Sequence, residues 1–296
     1  MAPWALVGGI IFAGSVFAQG NKTFSVLSYN IAALPGFISS SNPKVNIPLI
    51  APRLAPYGIV NVQEDFNYHE PLYAGDTHPH RTPTSGGVPL GSGLNTMSIY
   101  PLTGLQRVTW NWCWINFGDC LTPKGFTMVR AQLDENAYID VYNLHTDAGD
   151  SYLDAAARKS NIGQVVSHIK EHSEGNAVLI YGDTNALYTN SSDGIRQFIT
   201  AGFTDVWVQL IRGQKGEPAA GSPSLYCPEN GVGVTNECET LDKIFYRSGL
   251  RVRLNATGYN NESDYLPDAA FLDSAGRPLS DHYPITADFT YSLDPS

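Results

Sequence analysis

Hydrophobic and polar positions along this chain alternate in short runs of strand length, and the runs share an ending. Val26-Leu27-Ser28-Tyr29-Asn30, Ile59-Val60-Asn61-Val62-Gln63-Glu64, Ile139-Asp140-Val141-Tyr142-Asn143-Leu144-His145 and Val178-Leu179-Ile180-Tyr181-Gly182-Asp183-Thr184-Asn185 each pass from apolar residues to groups that hold a metal or move a proton. Leu241-Asp242-Lys243-Ile244-Phe245 places an Asp at a strand start instead, and Ser280-Asp281-His282-Tyr283-Pro284-Ile285 sets a carboxylate beside an imidazole before a last strand. Further strands are predicted at 94–100, 126–133 and 138–144, the last two joined by an Asp134-Glu135-Asn136 turn. In Val108-Thr109-Trp110-Asn111-Trp112-Cys113-Trp114-Ile115 bulky residues alternate, which predicts a hairpin strand.

Helical spacing is clearest from about Tyr152 to His172, where Ile162, Val165, Val166 and Ile169 form one apolar face. His168 and His172 lie four apart on that helix, but no third ligand converges on them, so they read as surface residues. Prolines punctuate 43–57, predicting a broken helix, and a second helix is expected over 193–201, with 203–207 docking it onto a sheet. Residues 74–93 and 212–240, rich in Gly and Pro, read as long loops, with His78 and His80 solvent-exposed in the first. No linker, repeat or low-complexity tract divides residues 19–296, which read as one domain.

The composition adds a compartment. Residues 1–18 are apolar, too short to span a membrane comfortably, and end in Val16-Phe17-Ala18, so a signal peptide cleaved after Ala18 is expected; a retained anchor is the rival reading. Four cysteines, all beyond that point, suit two disulfides in an oxidising compartment; proximity favours Cys113–Cys120 and Cys227–Cys238 among three possible pairings, and the lack of any C-x-x-C disfavours zinc. Sequons at Asn21, Asn190, Asn255 and Asn261 fit a secreted glycoprotein. The net charge of −10 disfavours a partner bound through many nucleic-acid phosphates, though not an enzyme that touches one phosphate through a cation.

Asn30, Glu64, Asp183, Asn185 and Asp281 supply the oxygen donors that a hard cation such as Mg²⁺ accepts, alongside waters and a substrate phosphate. His145 and His282 supply one general base and one general acid, and Asp242 is suited to fix the tautomer of one of them. With no nucleophilic Ser or Cys motif, this inventory supports metal-assisted attack of water on a phosphoester.

Tyr29-Asn30, Gln63-Glu64, Leu144-His145-Thr146, Gly182-Asp183-Thr184-Asn185, Asp242-Lys243-Ile244 and Ser280-Asp281-His282-Tyr283-Pro284 follow in order the motifs of the DNase I-like endonuclease/exonuclease/phosphatase superfamily, which the chain resembles from about 24 to 290. The resemblance implies a four-layer α/β/β/α sandwich of two packed mixed β-sheets. It also implies Mg²⁺, or Mn²⁺ or another divalent cation, held by Glu64 with Asn30 and Asp281. His145 resembles the phosphate-contacting histidine, oriented by Asp242; Asp183 and Asn185 the pair that positions water and phosphate; and His282 the general base. Leu34-Pro35, Met97-Ser98-Ile99-Tyr100-Pro101-Leu102 and Pro123-Lys124-Gly125-Phe126 after Cys120 are similar to the secreted neutral sphingomyelinases. The expected reaction is phospholipase C-type hydrolysis of a sphingophospholipid, with a DNase I-like endonuclease or another phosphoesterase as the alternative. The expected partner is a membrane phospholipid, with Trp110, Trp112 and Trp114 read either as packing against a sheet or as a lipid-facing edge that meets it peripherally; nucleic acid is less expected, and no obligate protein partner is evident.

Overall fold

The computed structural model describes residues 22–228, 231, 233–263 and 271–294, apart from the side chains of residues 116 and 117. The expected signal peptide and the Asn21 sequon lie outside these residues. Among the described residues twelve strands form: β1 (Lys22–Asn30), β2 (Ile59–Gln63), β3 (His80–Arg81), β4 (Asn95–Ser98), β5 (Leu102–Thr109), β6 (Gly125–Asp134), β7 (Ala137–His145), β8 (Ala177–Asp183), β9 (Thr204–Asp205), β10 (Asp242–Arg247), β11 (Val252–Asn261) and β12 (Ile285–Leu293). The α-helices described with them are α1 (Pro43–Ile50), α2 (His69–Gly75), α3 (Tyr152–His172) and α4 (Arg196–Thr200).

The strands make two mixed six-stranded sheets, ordered β11-β12-β1-β2-β4-β3 and β5-β6-β7-β8-β10-β9. Neighbouring residues on one strand serve different layers. In β1, Val26 faces the space between the sheets and Leu27 faces α1 and α2; in β8, Leu179 and Tyr181 face the inter-sheet core while Val178 and Ile180 face α3 and α4. Burial on both faces is why these strands read as near-continuous apolar runs. The result is the expected helix–sheet–sheet–helix sandwich.

Local chemistry explains the helices. Pro48 lies inside α1 and removes one backbone donor, and residues 51–54 continue beyond Ile50 as one 3-10 turn, giving the expected broken helix. A capping box opens α3: Ser151 accepts from Asp154 N and Asp154 accepts from Ser151 N. Both disulfides form as proximity favoured, Cys113–Cys120 and Cys227–Cys238.

Several expectations are corrected. The strand predicted through Ile115 stops at Thr109, and Trp110 is buried, packed against Phe126 with its indole N–H donating to His145 O at 2.8 Å. A lipid-facing role for Trp110 is therefore excluded; Trp112 is exposed and Trp114 half-buried. His78 is buried, its ring nitrogens bonded to Asp76 Oδ1 (2.5 Å) and Tyr57 O (2.7 Å), and His80 sits half-buried in β3. His168 is half-buried rather than a surface residue, bonded to Tyr142 and Gln106. Asn261 is buried, which leaves no room for a glycan at that sequon, whereas Asn255 is exposed.

Towards one end the inter-sheet layer turns from hydrocarbon to amide. Asn61 Nδ2 donates to Tyr142 O and Tyr181 O across the sheets, both at 3.2 Å. Gln63 Nε2 donates to Asn143 Oδ1 at 2.8 Å, and Asn143 Nδ2 to Val62 O and Asn95 O, both at 3.0 Å. Buried amides cost little only when so paired. Here they pin the sheets together directly beneath the strand ends that carry the candidate site.

Candidate active site

Strand register gathers the candidate residues. β1 and β2 are parallel with Asn30 opposite Gln63, so Glu64 emerges one residue beyond Asn30. β7 and β8 are parallel with His145 opposite Asp183, and antiparallel β10 brings Asp242 opposite Asp183 from its other side. β12 runs antiparallel to β1 with Ile285 opposite Ser28, which returns the Asp281–His282 turn to the same end. Glu64, His145, Asp183, Asn185, Asp281 and His282 line one cleft of about 460 Å³, with Asn30 and Asp242 buried at its floor.

Among the described residues three non-glycine residues have positive φ, and all lie at this site: Ala32 (46°), Glu64 (59°) and Asn185 (44°). Such conformations are sparsely populated and persist where surrounding bonds over-determine them. Ala32 N donates to Asn30 Oδ1, Asp65 N to Gly93 O, and Asn185 N to Asp183 Oδ1. The strain turns the Glu64 and Asn185 side chains into the cleft as their strands end.

Asp183 is the hub. Its Oδ2 accepts from Asn30 Nδ2 (3.0 Å) and faces His145 Nε2 (3.3 Å) and His282 Nε2 (3.5 Å). Burial would raise its carboxyl, but His282, His145 and the Asn30 bond outweigh burial and hold it below the usual range. His282 Nδ1 bonds Asp242 Oδ2 at 2.8 Å. This corrects the expectation that Asp242 orients His145: the strand start delivers Asp242 to the other imidazole. Burial disfavours the His282 imidazolium, yet Asp183 and then Asp242 carry its pKa well above the ordinary value. His145 differs. Burial first, then nearby Lys124, lower it to about 3, so it is neutral, and its Nδ1 is buried with no hydrogen-bond partner among the described residues.

Lys124 was not among the expected site residues. Its Nζ lies 3.1 Å from His145 Nε2 and pairs with Asp119, whose other oxygen accepts from Ala148 N at 2.7 Å. The signal was a lysine just past the second cysteine of a short disulfide loop in an acidic chain, but nothing in the sequence says that loop folds over the site.

The donors fit a hard cation at Glu64. Its carboxylate receives one long bond, from Asn30 Nδ2 at 3.4 Å, and burial raises it against the relief from Lys124; a cation would reverse that balance. Asp281 lines the same cleft, held by Ser40 and Ser280. Asn30 turns its amide nitrogen to Glu64 and Asp183 because its oxygen is taken by Ala32 N, so here it positions carboxylates. Atoms of Asp183, Asp242 and His282 also lie within 4.8 Å of one another. Their contacts pair imidazole with carboxylate, which is the order of a proton relay, although Asp242 Oδ1 is buried with no hydrogen-bond partner among the described residues.

The two-sheet α/β sandwich thus gathers carboxylates and imidazoles at one end of its strands. The sequence matches the endonuclease/exonuclease/phosphatase family 2 over residues 44–215, and the chain belongs to that family. The matched stretch carries Glu64, His145, Asp183 and Asn185; the fold supplies Asn30, Asp242, Asp281 and His282 from outside it. The chain is 41% identical over 281 residues to a sphingomyelinase of Mycobacterium tuberculosis, covering 92% of this chain and 53% of the relative, so it spans about half the length of the curated relatives it matches. Sphingomyelinase C from Streptomyces griseocarneus superposes with a TM-score of 0.61 at 17% identity, over 90% of this chain and 99% of that one. The beta toxin of Staphylococcus aureus, solved with bound magnesium ions, gives the same TM-score, identity and shares. At such identities these two structures establish the shared fold.

Proposed function

We propose that the chain is a divalent-cation-dependent phosphodiesterase that cleaves a sphingophospholipid, releasing the phosphorylated head group and leaving the lipid alcohol. The observation that carries the chemistry is the His282–Asp242 pair facing Asp183 across a cleft that also holds Glu64. The 41% identity to a sphingomyelinase supports the substrate class.

In this reading Glu64, with Asp281, holds Mg²⁺ or a comparable cation, which when bound stabilises charge on the phosphoryl oxygens. His282 Nε2 takes a proton from the attacking water while Asp242 fixes Nδ1–H and steadies the imidazolium that forms. Asp183 and Asn185 position water and phosphate. Lys124 and neutral His145 meet the phosphoryl oxygens, where a cation and an uncharged donor oppose the developing charge. The two disulfides support an extracellular setting, with cleavage after Ala18 preceding it.

Sphingomyelin vesicles and plasmid DNA, each incubated with the chain in Mg²⁺ and then in EDTA, test this directly. Phosphocholine released only with Mg²⁺, with the plasmid intact, is the expected result. Nicked plasmid beside untouched lipid would keep the metal chemistry and move the substrate to nucleic acid, as in an endonuclease of the family.

A further inference from the structure

Among the described residues, several exposed large apolar side chains belong to three loops that also carry residues lining the cleft. Phe37 (88% exposed) and Ile38 (53%) project from the loop after β1, Leu90 (81%) from the loop before β4, and Ile115 (64%) and Leu121 (65%) from the disulfide loop after β5. Ile38 and Leu121 line the catalytic cleft itself, together with Leu34, Phe66 and Val88, and Leu90 shares a neighbouring depression with Leu121 and Lys124. Three loops from both sheets thus surround a polar floor with an apolar rim.

Isolated exposed apolar residues need no explanation, but a contiguous set around a site marks an interaction surface. The direction of the gradient identifies the occupant. Phosphate-binding and proton-moving groups lie at the bottom, aliphatic and aromatic walls above them, and free hydrocarbon outermost, which is the polarity of a phospholipid entering head group first. We propose that Phe37, Leu90 and Ile115, with Ile38 and Leu121 inside them, form an interfacial docking rim that seats the cleft on a zwitterionic lipid surface. The inference rests on the lipid reading of the site. The rim replaces the Trp110–Trp114 stretch in that role, since Trp110 is in the core. A net charge of −10 opposes approach to anionic lipid, so adhesion comes from apolar insertion and favours zwitterionic membranes.

The test separates docking from chemistry. Full chain in EDTA, so that no lipid is consumed, is sedimented with phosphatidylcholine/sphingomyelin vesicles and with vesicles enriched in phosphatidylserine. The unmodified chain partitions onto the first and less onto the second. Phe37→Ser/Leu90→Ser/Ile115→Ser lowers partitioning by about a hundredfold, from the loss of three inserted side chains, while Mg²⁺-dependent hydrolysis of soluble bis(p-nitrophenyl) phosphate is unchanged. Leu250→Ser, at an exposed residue (79%) in the turn between β10 and β11, leaves partitioning intact. An unmodified chain that does not bind vesicles, or a triple variant that binds as well, overturns the proposal. So does a triple variant that instead dissociates a dimer in sedimentation velocity, which would make the rim a contact between copies. Vesicle binding that persists without hydrolysis of any phosphodiester would overturn the enzymatic reading and leave the docking surface standing.

Discussion

Glu64→Gln lowers phosphodiester turnover by about a thousandfold or more while leaving the fold intact, because it removes the charge that holds the cation and nothing that holds the sheet. The amide keeps the shape of the carboxylate, and the strained backbone at this position is anchored by Asp65 N on Gly93 O and Phe66 N on Glu64 O, not by the side chain. Burial pushes the Glu64 carboxyl above its ordinary pKa. A carboxyl raised in the folded state destabilises that state once pH exceeds its unfolded value, so near neutrality the metal-free Gln variant melts no lower than the parent chain. Mg²⁺ raises the melting temperature of the parent, since a ligand that binds only the native state stabilises it, and has no such effect on the variant. Thermal melts and kcat/KM across a Mg²⁺ series check both halves. Near-normal rates in the variant would remove Glu64 from the metal site.

The second large effect is at the imidazole–carboxylate pair. His282→Ala costs about two to four orders of magnitude in rate, the usual worth of a positioned general base. Asp242→Asn is more informative because it acts through His282. Burial opposes the His282 imidazolium, and Asp183 and Asp242 together overcome it. Removing the Asp242 charge therefore lets His282 lose its proton at lower pH. Activity that needs neutral His282 rises with pH, so the acid limb of the kcat/KM profile in Asp242→Asn moves to lower pH while the plateau falls. If Asp242 were only a structural partner, the plateau would fall with the limb unmoved. The profile also tests the reassignment of Asp242 from His145 to His282, since a carboxylate serving His145, already neutral with its pKa lowered to about 3, would leave this limb unchanged.

Much of this arrangement was legible because strand ends leave a plain signature: hydrocarbon on both faces, then a donor. That pattern located Asn30, Glu64, His145 and Asp183 on parallel strands that must end at one edge. What stayed hidden depends on how loops and edges close. β11 was missed because Val252, Leu254 and Ala256 face inward while Arg253 and Asn255 face solvent, after which Gly258 and a bulge blur the alternation. Such an edge strand is hard to tell from a polar loop. Trp110 read as a strand aromatic because its spacing is period two, yet its indole N–H finds a buried carbonyl and the ring follows. His78 sits in a Gly/Pro-rich loop, where exposure is the default, but a neighbouring Asp76 and a backbone carbonyl made burial tolerable. Lys124 and the partner of Asp242 are tertiary facts. Which imidazole a carboxylate meets depends on the Asp281–His282 turn folding back beside β10, and no local spacing encodes that.

Water, activated by His282 and Asp242, is proposed to attack phosphorus in the cleft beside Glu64. The most direct measurement is hydrolysis of sphingomyelin vesicles in heavy-oxygen-labelled water with Mg²⁺, with mass analysis of both products. One labelled oxygen in the phosphorylated head group, none in the lipid alcohol, and no products in EDTA are the expected result. Label in the lipid alcohol, or undiminished cleavage in EDTA, would contradict it.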